Sequence, residues 1–282
     1  MGLEACGFTQ WFETLLHEVG MEVWMGDAGK IRASVVRVQK TDRRDAEQLL
    51  TLMLEKRFPG VWVPSAAERD VRQLLMHRHK LVRARTQVKN QLPAVALNQG
   101  MRKQRQLWTA KGRGEFEALP LLPYADRRRR ELLEMLDGLN RQIEELNRAG
   151  TAEAEKRAEA VYLMQQPGVG WQTALAMVLT LGPVERFPSG KHVASYLGLI
   201  PREHSSGGKQ KLGSISKQGS RFMRFLLVEA GQSVAKHDAE MKQDYLRWSM
   251  RCGRGKAKVA VARKLAVKLY WMVRERKQAT QR

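Results

Sequence analysis

The chain has 282 residues, enough for two or three domains, and its 43% hydrophobic content argues against wholesale disorder. Fifty Lys and Arg against 29 Asp and Glu leave a formal charge of +21, a field that attracts polyanions, of which nucleic acid is the commonest large one in a cell. No run of about 18 apolar residues marks a membrane span, no basic n-region marks a secretory signal, and two cysteines, Cys6 and Cys252, cannot by themselves form a disulfide scaffold or a zinc site.

Residues 1–64 read as a short α/β piece. Gly2 to Cys6 suits the end of a strand. Trp11, Phe12, Leu15, Leu16 and Val19 follow helical spacing closed by Gly20. Met21 to Met25 alternates like a strand, a helix is expected from about Asp42 with Ala46, Leu49, Leu50, Met53 and Leu54 on one face, and Val61-Trp62-Val63 suits another short strand. So few strands leave an open sheet incomplete. Residues 65–160 are expected to be almost entirely helical. Val71, Leu74, Leu81, Val88, Leu92 and Val95 make one stripe, and Leu132, Leu136, Leu139, Ile143 and Leu146 step like a coiled-coil seam. The seam lasts barely two heptads, so a helical hairpin and a zipper fit equally. Arg127 to Arg130 form a basic block suited either to a solvated helix end or to phosphate contact.

Residues 161–282 read as a second compact region. Pro167-Gly168-Val169-Gly170 separates two helices in the manner of a helix-hairpin-helix, whose Gly-rich turn aims backbone N–H groups at a phosphate; a plain interhelical turn looks similar. A Gly/Ser/Lys-rich loop follows, HSSGGKQKLGSISKQGS, and then helices ending in GRGKAKVAVARKLAVKLYWMVRERK. Its apolar residues suit a core face. Lys256, Lys258, Arg263 and Lys264, with Lys209, Lys211 and Lys217 of the loop, are the expected nucleic-acid contacts.

Three groups of residues suggest chemistry. Asp42 and Asp45, three apart on a helix, share a face on which one Mg²⁺ could sit, although Asp42 also suits an N-cap and Asp45 a first turn. Glu4 stands at a strand end, where ligands of open α/β sheets gather. Ser205 and Ser206 precede Gly207, and a serine on a basic loop can attack a phosphodiester, although most Ser-Gly loops do not. His204 suits a base or a solvated side chain. No P-loop, H-E-x-x-H or C-x-x-C pattern is present.

In this order, LEACG, KTDRRDA, QPGVGWQTA, RFPSGKHVASYLGLIPRE, SSGGKQKLGSISKQG and GKAKVAVARKL resemble the insertion-sequence-110 and 1111 transposases, relatives of the Piv-type DNA invertases. The resemblance implies a mainly α chain with a partial α/β piece. Residues 1–64 would be part of a RuvC-like, RNase H-type domain, 65–160 a helical, coiled-coil region, and 161–282 a helical transposase domain with a helix-hairpin-helix. It implies Mg²⁺ held by acids that map to Glu4, Asp42 and Asp45, with Ser206 the nucleophile and Ser205 the lesser candidate. Implied partners are donor and target DNA, a structured guide RNA and further copies in a dimer or tetramer. The implied place is the bacterial cytoplasm at the nucleoid. The family's first Asp lies on a strand upstream of the Glu motif, and only three residues precede Glu4 here. A truncated or mis-started product is therefore expected, and the alternative to a working recombinase is an inactive remnant that binds DNA or RNA.

Overall fold

The computed structural model describes residues 1–5, 10–34, 41–101, 107–205 and 208–281, and the side chains of 280 and 281 are not described. The chain divides into two compact units, Met1–Ser65 and Ala66–Arg282. The expected helical region and C-terminal region thus lie within one unit.

In the first unit, β1 (Gly2–Glu4) pairs in parallel with β2 (Trp24–Gly26), Glu4 standing opposite Gly26. Between them runs α1 (Gln10–Glu18), a right-sized crossover for parallel strands. α2 (Ala28–Ala33) and α3 (Asp42–Leu54) follow. The second strand lies C-terminal to its expected centre, because the alternation of Met21 to Met25 is not what pairs: Trp24 N–H donates to the Met1 carbonyl at 2.8 Å, and Met25 and Gly26 are the buried residues. Val61 to Val63 form no strand; only an isolated bridge joins Gly26 and Gly60. The helical faces also differ from expectation. Leu16 is buried on α1 while Trp11 stays 70% exposed, and Leu52 is buried on α3 while Leu54 stays 75% exposed. Among the described residues, Trp11 and Leu15 of α1, Val19 just beyond it, and Leu50 and Leu54 of α3 stay exposed, while Phe12, Leu49 and Met53 are half-buried.

The second unit opens with a long antiparallel hairpin of α4 (Ala66–Leu97) and α6 (Pro123–Glu155), with short α5 (Ala110–Glu117) between them. Arg78 Nε donates to Asn147 Oδ1 at 2.6 Å and Arg85 reaches Asn140 at 3.5 Å, which sets the register. Val88, Leu92 and Val95 meet Leu132, Leu133 and Leu136 in one cluster with Phe116 of α5. The seam is therefore satisfied within the chain. The arginine block is largely spoken for: Arg127 pairs with Glu131, Arg130 with Asp126, and buried Arg129 donates to the Phe116 and Leu119 carbonyls at 2.6 and 2.9 Å and to Asp126.

The main core follows, built from α7 (Ala158–Leu163), α8 (Trp171–Leu181), α9 (Gly190–Tyr196), α10 (Arg221–His237), α11 (Ala239–Cys252) and α12 (Arg254–Gln281). α12 contributes Val261, Ala262, Leu265, Ala266, Leu269 and Tyr270, all buried. The Tyr270 hydroxyl, the one polar atom that large ring carries inside, donates to the Phe187 carbonyl at 2.8 Å. Between α9 and α10 an antiparallel hairpin of β3 (Pro201–Glu203) and β4 (Leu212–Ile215) stands out from the helices. No described helix is long and apolar enough to cross a membrane.

Candidate nucleic-acid interface

Parallel pairing brings the carboxyl ends of β1 and β2 to the same edge, where Glu4 is exposed. Asp27, which directly follows β2 at that edge, was not singled out from sequence. Its carboxylate accepts from Lys30 N–H at 3.0 Å and caps α2. On α3 the cap is Thr41, whose Oγ1 accepts from Arg44 N–H at 3.4 Å, so Asp42 is released from the capping role that its sequence position allowed. Asp42 is exposed and Asp45 half-buried, one turn apart. A Cβ on Gly2 would stand 2.6 Å from Met53 Sδ, so α3 meets β1 near its C-terminal end. From Met53 back to Asp45 the helix rises about 12 Å, whereas Gly2 to Glu4 advances only about 7 Å. In keeping with these lengths, no three His, Cys, Asp or Glu side chains gather as a ligand set among the described residues. All three acids offer the hard oxygen donors that suit Mg²⁺, but these residues alone do not close a metal site.

The expected serine loop is the tip of the β3–β4 hairpin. His204 N–H donates to the Lys211 carbonyl at 2.9 Å, extending the pairing beyond the strands. Ser205 Oγ donates to Glu203 Oε1 at 2.6 Å and accepts from Lys211 N–H at 3.2 Å, so this hydroxyl is engaged in holding the hairpin. Ser206 and Gly207 lie outside the described residues. Lys209 and Lys211 are exposed beside them. After β4 the chain turns through Lys217, at φ 58°. Lys217 N–H donates to the Gly198 carbonyl at 3.1 Å, and the Arg224 guanidinium donates to the carbonyls of Leu197, Gln218 and Gly219. Sequence did not single out Arg224; an arginine in the first turn of a largely apolar helix, three residues after Arg221, was its only signal. Burial, with Arg221 nearby, pushes the Arg224 guanidinium below its ordinary value.

A groove of about 770 Å³ runs beside this hairpin, walled by Pro201 and Ile215 on one side and by Trp248, Lys256, Val259 and Arg263 of the helices. Lys256 and Arg263, two of the expected contacts, thus share it and make no ion pair with a described residue. Lys264 also lines it, but its ammonium is bound by Glu240 at 2.7 Å and Asp244 at 2.5 Å. Burial pulls the Lys264 pKa down, and the hydrogen bonds to these two carboxylates outweigh it, so the net shift is upward. Lys258 is half-buried and does not line the groove. The glycines of the 167–170 turn divide in the same way. Gly168, at φ 85°, is pressed on α10, where a Cβ would stand 2.7 Å from the Val234 nitrogen. Gly170 caps α8 with open space around it.

Residues 160–246, which include this turn and the hairpin, match the model of the transposase IS116/IS110/IS902 family, and residues 10–100, which include Asp42 and Asp45, match a DEDD-type IS110 transposase model. The chain is 30% identical over 258 residues to a protein named "Probable family 20 transposase" from Pseudomonas aeruginosa, covering 88% of this chain and 75% of the relative. It is 28% identical to the transposase for insertion sequence element IS1111A from Coxiella burnetii, over 94% of this chain and 74% of that one. The pilin gene-inverting protein of Moraxella bovis is 28% identical over 84% of this chain and 66% of its own length.

Proposed function

The chain belongs to the IS116/IS110/IS902 family of transposases, and on that premise we propose that it recombines DNA through a serine nucleophile, Ser206. The observation that carries this reading is the pairing of an exposed hairpin tip with a cationic groove along its base. A duplex lying over Lys256 and Arg263 would have its phosphates neutralised and its backbone within reach of the tip. The Ser206 hydroxyl would attack phosphorus, forming an O–P bond as the phosphodiester's ester bond to a deoxyribose oxygen breaks, and that oxygen would leave with a proton. The phosphoserine keeps the energy of the broken bond. A deoxyribose hydroxyl from another strand then attacks it, restores the diester and returns the proton to the serine.

Ser205 is the poorer candidate because its oxygen already serves Glu203 and Lys211. Glu4, Asp42 and Asp45 would hold Mg²⁺, with phosphate oxygens or water completing the set, and the ion would supply charge neutralisation at the scissile phosphate. The same reading takes residues 1–64 as part of a RuvC-like fold, the 167–170 turn as a phosphate contact through the open Gly170 end of α8, and a guide RNA and a dimer or tetramer as the working assembly. Supercoiled plasmid carrying the ends of the encoding element, incubated with Mg²⁺ and RNA transcribed from that element, tests it. Wild-type and Ser205→Ala proteins should nick or join the plasmid, and Ser206→Ala should not. Equal activity in Ser206→Ala removes the serine role, and binding without cleavage by the wild type favours an inactive nucleic-acid binder.

A further inference from the structure

A second groove, about 590 Å³, lies between α4 and α10 in the same unit. Its floor is aromatic: the His79 ring stands 4.9 Å from Phe225 and 5.1 Å from Phe222, centroid to centroid, both tilted. Phe225 remains 46% exposed, so one face of its ring is open to the groove. Arg83 and Arg221 stand on the two walls, exposed. No Asp or Glu is among the residues that line the groove: α4 has none after Asp70, and the first acid on α10 is Glu229, one turn beyond Phe225. Burial first, and then Arg83 and Arg78, push the His79 pKa down, so at neutral pH His79 adds a ring face rather than a charge.

An exposed ring flanked by arginines, in a groove whose lining includes two arginines and no acid, matches the chemistry of a base with its neighbouring phosphates. Only an unpaired strand can offer a base face to such a ring, because in a duplex the faces are covered by their neighbours. We propose that this groove binds one unpaired DNA strand, with a base stacked on Phe225 and the adjoining phosphates on Arg83 and Arg221. The proposal rests on the reading of the chain as a DNA recombinase, whose substrates pass through unpaired stretches when strands are exchanged. It assigns the groove a ligand different from the duplex over Lys256 and Arg263.

Fluorescence anisotropy with the full chain, a labelled 20-nucleotide oligo-dT and a 20-base-pair duplex tests it. Phe225→Leu should weaken oligo-dT binding about 5-fold or more and change duplex affinity less than about 2-fold, while Phe225→Trp, which restores a π face, should bind like wild type. Arg83→Gln with Arg221→Gln, at exposed positions that do not endanger folding, should lower the salt slope for oligo-dT by about 0.7 per cation. Wild-type affinity for oligo-dT in both variants overturns the proposal, as does an equal loss of duplex binding in Phe225→Leu. Tighter binding of oligo-U than oligo-dT overturns the assignment to DNA, and a changed oligomeric state in Phe225→Leu without nucleic acid assigns the face to another copy. If the wild type binds neither oligo-dT nor duplex, the recombinase reading itself fails; duplex binding that persists while oligo-dT binding is insensitive to these variants removes only this groove.

Discussion

Gly168 and Gly170 stand two residues apart in one turn and answer to different constraints. Gly168 has positive φ and touches the α10 backbone, so Gly168→Ala meets both strain and a clash and should cost about 1–3 kcal/mol. Gly170→Ala meets neither and should stay within about 1 kcal/mol. Thermal unfolding of the two variants checks the contrast, and equal melting points would refute it. The turn itself is legible in the sequence, since Pro-Gly between apolar helices marks it. What presses on each glycine is not, because Val234 is 66 positions downstream of Gly168 and no local pattern announces that contact. Asp42 carries the same lesson in reverse. The sequence allows it to cap α3, and only the fold shows Thr41 doing so.

At the scale of elements, the α4–α6 hairpin explains why a basic block need not be a binding site. Arg129 donates to two backbone carbonyls and to Asp126 from a buried position, so Arg129→Met loses all three bonds, with Arg130 still at Asp126, and should cost about 1–3 kcal/mol. Its effect on the salt dependence of DNA binding should be nil, and a lowered slope would mean that Arg129 meets phosphate after all. Arg113 gives the hairpin a pH dependence. Its bidentate hydrogen bond to Asp137 holds that carboxyl below its ordinary value. A folded pKa depressed in this way contributes stability that is present above the unfolded value, near pH 4, and is lost as pH falls through the folded one. Asp137→Asn should therefore flatten the acid limb of the melting-temperature profile below about pH 4 and leave its shape near pH 7 unaltered. Helical periodicity made α4 and α6 readable, but the choice between zipper and hairpin needed the partner. The short first-unit strands were less readable, because three-residue strands are too brief for alternation to fix their register.

For the whole molecule, a charge of +21 says that polyanions will be drawn in but not where they will lie. The fold selects among the cations. Lys264 and Lys268 are held by acids of α11 and its cap, whereas Lys256 and Arg263 line a groove with no ion partner among the described residues. Duplex binding by Lys256→Ala with Arg263→Ala should accordingly show a salt slope lower by about 2, and Lys264→Ala should change it by less than about 1. Similar changes in the two would mean that the groove is not the duplex track. The serine pair was visible as a motif, SSGG followed by lysines, and the hydrogen bonds that occupy Ser205 are a reason to test Ser206 first.

The central claim is that a serine of the hairpin tip bonds to DNA, and the most direct measurement is to trap that bond. The wild-type protein, reacted with supercoiled plasmid carrying radiolabelled internal phosphates, Mg²⁺ and the element's RNA, then denatured and digested with protease and nuclease, should yield a peptide carrying a nucleotide phosphate on Ser206, absent from Ser206→Ala. Efficient strand joining with no protein-linked nucleotide, or with the nucleotide on Ser205, would contradict the account.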